Sequence, residues 1–176
     1  MNRLLLKGKI FVLMLLAMGA ATSCNDDDDD EDTMLTLQSF MQQAAESDLF
    51  EITTGGFATQ KGVMTEVKTF GQMLVNDHTT SSNELKTLAT QKSVTISMAL
   101  PQDKTAKATL LQNASGTAFD KLFSEMQVQA HEEAIDLYEK ADRDITDTQV
   151  QAFIDKTLPV LRMHLTEAER LEDMTD

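Results

Sequence analysis

The chain has 176 residues, a formal net charge of −14 and a single cysteine. This length suits one domain with a substantial core, preceded by a leader segment. The strong negative charge argues against nucleic-acid binding because it repels phosphate backbones. One cysteine excludes an intrachain disulfide and any zinc site built on several cysteines. Seven glycines, two prolines and eleven methionines are typical of a helical protein whose methionines fill gaps between helices.

The first segment, Met1–Cys24, has the pattern of a bacterial lipoprotein signal peptide. Basic residues precede an apolar run, IFVLMLLAMGA, which is too short to span a bilayer comfortably. The run leads to Ala21-Thr22-Ser23-Cys24, which is similar to a lipobox and predicts lipidation of Cys24. Ordinary secretory cleavage beside an incidental cysteine is the alternative. A lipid on Cys24 would make the membrane a partner of the domain without a spanning segment.

An acidic stretch, NDDDDDED, follows the cysteine. We interpret residues 25–33 as a disordered spacer, because like charges repel each other and nothing there can be buried. An alternative is an address signal, since acidic runs directly after a lipidated cysteine resemble the surface-export signals of lipoproteins in some Gram-negative bacteria. The folded domain is expected to occupy residues 34–172.

Apolar residues at steps of three and four predict four long helices and one short helix in the rest of the chain. The long helices are predicted over Met34–Lys61, Met64–Gln91, a segment from a Ser115 cap to about Arg143, and Thr148–Leu171, and the short one over Lys104–Asn113. This pattern indicates an all-α fold. We expect an antiparallel four-helix bundle with the short helix in its long middle connection.

Local signals set the helix boundaries. Gly62 is expected to end the first helix, and Thr146 or Asp147 to cap the last one. Pro159 removes one backbone hydrogen bond inside that last helix and is expected to bend it without dividing it, because the apolar stripe continues on both sides. The pair Gly55-Gly56 predicts a kink or a close approach of a neighbouring helix.

Each of the three histidines lies on or beside the apolar face of a different predicted helix. His78, with Asp77 beside it, belongs to the second helix, His131 to the third and His164 to the fourth. Glu51 interrupts the apolar face of the first helix in the same way. An unpaired buried polar group is costly, so these side chains need partners. In an antiparallel bundle they can lie at a similar level.

Two kinds of cluster would satisfy them, and a third possibility is that no cluster forms. We expect a hydrogen-bonded cluster in which Glu51 or Asp77 orients the histidines. The alternative is a mononuclear site for iron, manganese or zinc, with Asp77 behind the ligands. The candidate ligands of that site are Glu51, His78, His131 and His164.

Several familiar sites are absent from the sequence. A di-iron centre of the ferritin kind needs Glu-x-x-His pairs, but the residues three positions before the histidines are Val75, Val128 and Leu161. The chain has no glycine-rich phosphate loop, no nucleophile elbow and no HExxH motif. We therefore assign no catalytic residue and expect a protein that is not an enzyme.

Three blocks of the sequence resemble a known family. They are FEITTGGFATQKGVMTEVKTFGQMLVNDHTTSSNEL, SGTAFDKLFSEMQVQAHEEAIDLYEKA and AFIDKTLPVLRMHL. Together they are similar to the ferritin-like family called domain of unknown function 4142, over about Met34 to Leu171. The resemblance implies a ferritin-like fold in an exported or outer-membrane bacterial protein. It also implies that the family's marked polar positions are Glu51, Asp77, His78, His131 and His164. The chain departs from the family at Ala130, where an aspartate is usual.

We therefore expect an exported lipoprotein in the cell envelope, lipid-anchored to the outer membrane through Cys24 and facing either the periplasm or the surface. Its expected role is non-enzymatic, in binding or in the stress response, with an envelope protein or a small ligand as partner. The alternative is a metal-binding storage or redox protein that uses a single transition metal ion. A purely structural surface protein is a third possibility.

Overall fold

The computed structural model describes residues 34–176, and this part of the chain contains five α-helices and no strand. The all-α prediction is confirmed. The predicted signal peptide, the predicted lipidation site Cys24 and the predicted acidic spacer lie outside the described residues. None of the described helices is both long and apolar enough to cross a membrane. The helices are α1 (Leu37–Lys61), α2 (Thr65–Gln91), α3 (Gln102–Asn113), α4 (Thr117–Asp144) and α5 (Thr148–Thr175).

The ends of α1 and α2 and the start of α5 agree with the sequence signals. However, α1 begins three residues after the predicted Met34, α3 begins two residues before the predicted Lys104, and α5 continues four residues beyond the predicted Leu171. The backbone N–H of Gly62 donates to Ala58 and ends α1, and the Asp147 side chain accepts from two backbone N–H groups at the start of α5. The predicted Ser115 cap is wrong, because the residue before α4 is Gly116, with a φ of 63° and no side-chain cap. That backbone conformation favours glycine, and it places the turn one residue after the serine. α5 includes Pro159 and remains one helix.

The four long helices contact each other in a ring. α1 packs against α2 and α4, α5 packs against α4 and α2, and α3 contacts both α1 and α4. The connections at residues 62–64 and 145–147 are so short that α1 and α2, and likewise α4 and α5, must be antiparallel neighbours. This arrangement encloses the middle of each long helix.

Two glycines bring α1 and α2 close together. A Cβ atom placed on Gly71 would lie 2.7 Å from the Gly55 carbonyl oxygen and 2.7 Å from the Ala58 Cβ. A Cβ on Gly56 would meet nothing within 4 Å. The close approach predicted for the glycine pair is therefore made by Gly55 alone, and it closes the seam between these two helices.

The apolar core is divided into two clusters. One contains the start of α1 and α5 and the end of α2 and α4, with Phe40, Leu85 and Ile154 fully buried. The other contains the opposite ends of the same helices together with α3. Between these clusters lies a set of buried polar side chains, which we call the polar layer. Its members are Asp48, Glu51, His78, His131 and His164.

Candidate metal centre

The three histidines meet in the polar layer. They come from α2, α4 and α5, and their ring centroids lie 5.3–5.9 Å from one another. One nitrogen from each ring lies within 4.8 Å of the other two. Donor atoms that share one transition metal ion lie roughly 3–4 Å apart, because each metal–nitrogen bond is about 2.0–2.1 Å. Small rotations of the rings would therefore bring the three nitrogens into contact with a common ion.

Burial of the histidines is nearly complete. His78 is 4% exposed, His131 is 1% exposed and His164 is fully buried. Each ring sits in the middle of a long helix, where the apolar positions of the two core clusters hold the helix on both sides. The sequence therefore fixes the level of each ring by placing it between two apolar stretches.

One nitrogen of each ring is held by an acceptor outside the histidine group. A carboxylate or a carbonyl oxygen only accepts hydrogen bonds, so the nitrogen facing it carries the proton. This fixes the orientation and the tautomer of each ring, as is usual for histidines that bind metals. The three bonds join His78 Nδ1 to Asp48 Oδ1 (2.8 Å), His164 Nε2 to Asp77 Oδ2 (3.0 Å) and His131 Nδ1 to the Gln127 carbonyl oxygen (2.9 Å).

The second nitrogen of each ring has no partner. His78 Nε2, His131 Nε2 and His164 Nδ1 are buried and form no hydrogen bond. In a neutral imidazole whose other nitrogen donates, this atom presents a lone pair. Each ring in its neutral form would thus offer one lone pair, and none of the three atoms has a hydrogen-bond partner among the described residues. The histidines do not bond to one another, and of the two carboxylates expected to orient them, Asp77 holds His164.

Glu51 also lies in the polar layer but has a different environment. Its side chain is 1% exposed, and neither carboxylate oxygen forms a hydrogen bond. Burial raises the pKa of Glu51 to about 7, against the opposing effects of His78 and Lys104. Glu51 therefore does not orient a histidine, as one version of the sequence prediction required. It is a buried acid that forms no ion pair at contact distance with the described residues, although the charges of His78 and Lys104 act on it.

The pKa values of the histidines favour neutral rings at two of the three positions. Burial, together with the nearby His78, lowers the pKa of His131 to about 3 and lowers that of His164. Burial also acts to lower the pKa of His78, but the Asp48 hydrogen bond and the charge of Glu51 outweigh it and raise that pKa above its usual value. Neutral imidazole is the form that binds a metal ion, so His131 and His164 are ready to bind at neutral pH.

Sequence reasoning missed Asp48, which is 3% exposed and holds His78. A signal for it was present. Asp48 lies four residues after Ala44 and three before Glu51, so it continues the same helical face. By contrast, the acceptor for His131 is the Gln127 backbone carbonyl, which no residue type could have revealed. Asp77 was predicted to support the metal ligands without binding the ion, and its side chain accepts a hydrogen bond from His164.

Comparison with known families gives one result. The family described as Domain of unknown function (DUF4142) matches residues 23–171. The chain belongs to the DUF4142 family. The family resemblance drawn from the three sequence blocks is thereby confirmed, and the matched part of this DUF4142 protein contains every residue of the polar layer. No curated protein and no solved structure matches the chain.

The donor set of this DUF4142 domain determines which ions could bind. Imidazole nitrogens suit iron and zinc as well as copper and nickel, and carboxylate oxygens also suit manganese. No thiolate lies in the group, which consists of His78, His131 and His164 in the described part of the chain. The arrangement can hold one ion through three histidines, with a carboxylate or a carbonyl behind each ring.

Proposed function

We propose that this DUF4142 domain binds one transition metal ion, iron, manganese or zinc, at the centre of a ferritin-like four-helix bundle. The observation that carries the proposal is a group of three buried histidines in which one nitrogen of each ring lies within 4.8 Å of the other two and in which each ring has one nitrogen without a partner among the described residues. Each ring is held at its other nitrogen, so its free lone pair is directed by the protein. Metal binding, the alternative in the sequence analysis, is thus the function that the site supports best.

The energetic cost of the unpaired atoms supports this proposal. Leaving one buried polar atom without a partner costs about 1–3 kcal/mol. The polar layer has six such atoms, the three histidine nitrogens, the two Glu51 oxygens and Asp48 Oδ2. A single cation would bind the three free nitrogens and add positive charge to a layer that contains the buried carboxyl groups of Asp48 and Glu51.

Glu51 is the candidate fourth ligand. Its oxygens are not in the group of atoms that lie within 4.8 Å of one another, so the side chain would have to turn toward the ion. Its lack of any hydrogen-bond partner leaves it free to do so. A positive ion would also favour the ionised carboxylate over the neutral acid that burial favours.

We propose that the role is binding rather than catalysis, and that it takes place in the cell envelope. The absence of Glu-x-x-His pairs supports a single ion in place of a di-iron oxidase centre. The lipobox-like sequence ending at Cys24 and the acidic spacer support an outer-membrane lipoprotein. Replacing Cys24 with alanine should move the protein from the membrane fraction to the soluble fraction. A wild-type protein that is soluble and carries no acyl chain would contradict the anchoring.

Metal analysis of the purified full-length protein tests the binding itself. We expect about one equivalent of iron, manganese or zinc after metal removal and reloading, and none in a variant with His78→Ala and His164→Ala. Metal at 100 times its dissociation constant should raise the free energy of unfolding by about 2.7 kcal/mol. Ser82→Ala is the matched control, because Ser82 is also buried in α2 but lies outside the group.

The two expected changes must occur together. Loss of both the metal and the metal-dependent stability in the double variant, with both retained in Ser82→Ala, would support the site. Identical melting of the wild-type protein with and without a chelator, together with no bound metal after reloading, would refute it.

A further inference from the structure

We propose that the metal ion reaches the histidines through the groove between α2 and α5, and that Asp77 is the first residue to bind it. This inference rests on the proposed metal site. It assigns Asp77 a second role, as an outer ligand for a hydrated divalent cation, in addition to its hydrogen bond with His164.

Asp77 differs from the other residues that hold the histidines. Its side chain is 41% exposed, although it accepts a hydrogen bond from the fully buried His164 at 3.0 Å. Asp48, which holds His78, has a side chain that is 4% exposed, and Gln127 is fully buried. Asp77 therefore connects the polar layer to solvent, whereas the acceptors of the other two rings lie in the interior.

A groove of about 250 Å³ lies beside Asp77, between α2 and α5. Ser81 and Asp77 line it from α2, and Val160 and Met163 line it from α5. Ser81 is one helical turn after His78, and Met163 directly precedes His164. The groove is thus connected to the polar layer through Asp77, which holds the ring of His164. Its volume exceeds the roughly 200 Å³ needed by an ion with about six waters, at about 30 Å³ for each water.

The opposite seam, between α1 and α4, is less suited to the entry of a cation. α3 packs on both of these helices, and a cavity of about 280 Å³ remains beside it. The cavity is lined by carboxylates, including Glu133, but also by Lys104. This cavity is not lined by the histidines, by Glu51 or by the residues that accept hydrogen bonds from the rings. The Lys104 amino group lies 5.1 Å from the Phe50 ring centroid and places a positive charge next to Glu51.

Each route carries one lysine, Lys156 paired with Glu84 in the groove and Lys104 in the cavity. The feature that distinguishes the groove is therefore Asp77, which bonds His164. A carboxylate at the mouth of a groove raises the local concentration of cations, and Asp77 is such a group. The seam between α1 and α2 is closed by the contact of Gly55 with Gly71. The groove between α2 and α5 is therefore the route on which solvent, a carboxylate and a histidine with a free lone pair follow one another.

Filling the groove with a large side chain tests the route. Thr80→Trp and Val160→Trp place an indole in the groove from α2 and from α5, and Leu137→Trp does the same in the cavity between α1 and α4. The probe is Co²⁺ added to the metal-free full-length protein, with the visible absorbance followed by stopped flow. Thr80 is exposed, so Thr80→Trp decides the test if the Val160 variant does not fold.

We expect both groove variants to slow Co²⁺ association and dissociation by the same factor, about tenfold, which corresponds to about 1.4 kcal/mol on the barrier. The dissociation constant should stay unchanged, because a blocked route affects entry and exit equally. Leu137→Trp should leave both rates unchanged. Unchanged rates in the groove variants, or slow association in Leu137→Trp, would overturn the route while leaving the metal site standing. A wild-type protein that binds no Co²⁺, zinc or iron would overturn the proposed function instead.

Discussion

Replacing Asp48 with alanine should weaken metal binding far more than replacing Asp77 with alanine. Both carboxylates accept a hydrogen bond from a histidine of the cluster. The Asp48 side chain is 4% exposed and the Asp77 side chain is 41% exposed. Water can therefore take the place of Asp77, but it reaches the site of Asp48 only with difficulty. The two variants form a matched pair that differs chiefly in burial.

The magnitudes follow from this difference. Removing a partner behind a metal-binding histidine typically lowers affinity 10–100-fold, so we expect an effect in that range for Asp48→Ala and one below about tenfold for Asp77→Ala. In the metal-free protein, Asp48→Ala also leaves a buried N–H of His78 unpaired. That loss should lower the free energy of unfolding by about 1–3 kcal/mol.

The stability effect should depend on pH in a defined direction. Although burial lowers it, the pKa of His78 is raised in the folded protein, mainly by the hydrogen bond to Asp48. A raised histidine pKa stabilises the fold below about 6.5, and this contribution is lost as the pH rises through the folded-state value. The Asp48→Ala variant should therefore lose more stability near pH 5.5 than near pH 8.5.

Zinc titration against a competing chromophoric chelator measures the affinities, and urea unfolding of the metal-free proteins measures the stabilities. Equal affinity losses in the two variants would refute the link between burial and ligand orientation. A larger loss in Asp77→Ala would refute it as well. A stability loss in Asp48→Ala that grows with rising pH would contradict the assignment of the charged pair.

Three further predictions concern packing and pH. Gly71→Ala should lower the free energy of unfolding by about 1–3 kcal/mol, because the new Cβ lies 2.7 Å from atoms of α1. Gly56→Ala, whose new Cβ has nothing within 4 Å, should stabilise the helix by about 0.5–1 kcal/mol. Thermal melts that rank the two variants the other way would refute the close contact of α1 with α2. Burial lowers the pKa of His131 to about 3, so the free energy of unfolding of the metal-free protein should fall by up to about 1.4 kcal/mol per pH unit as the pH falls from about 6.5 toward 3. Urea unfolding should show a smaller dependence on pH in His131→Gln. An equal dependence in both proteins would be evidence against this effect. Leu161→Ala should cost about 2–5 kcal/mol, because Leu161 is 3% exposed, and Met163→Ala, at a position that is 49% exposed, should cost much less in the same assay.

The helical pattern of the sequence was sufficient to locate all five helices, because each long helix carries an apolar face at steps of three and four. The same pattern placed His78, His131 and His164 on buried faces. The start of α4 was missed because a serine beside a glycine suggests a side-chain cap, whereas the positive φ of Gly116 makes the turn there. In that case backbone geometry outweighed side-chain preference.

The chemistry of the centre was less accessible to sequence reasoning. Which nitrogen of His164 is free depends on Asp77, which is 87 positions away in the chain. The ring of His78 depends on Asp48 on another helix. These pairings are set by how the helices pack together, so a periodic pattern within one helix does not reveal them. The sequence could place the histidines at one level but could not show which nitrogen of each ring is left without a partner.

The polar layer between the two apolar clusters also determines how the helices are aligned lengthwise. Sliding α5 by one helical turn, about 5.4 Å, would move His164 into an apolar cluster and separate it from Asp77. The same shift in α2 would take His78 away from Asp48. Apolar side chains such as leucine and phenylalanine can pack against different neighbours at modest cost in free energy. These hydrogen-bonded pairs cannot change partners without leaving buried polar atoms unpaired. The residues that could hold an ion therefore also fix the lengthwise register of the helices, because other registers would break their hydrogen bonds.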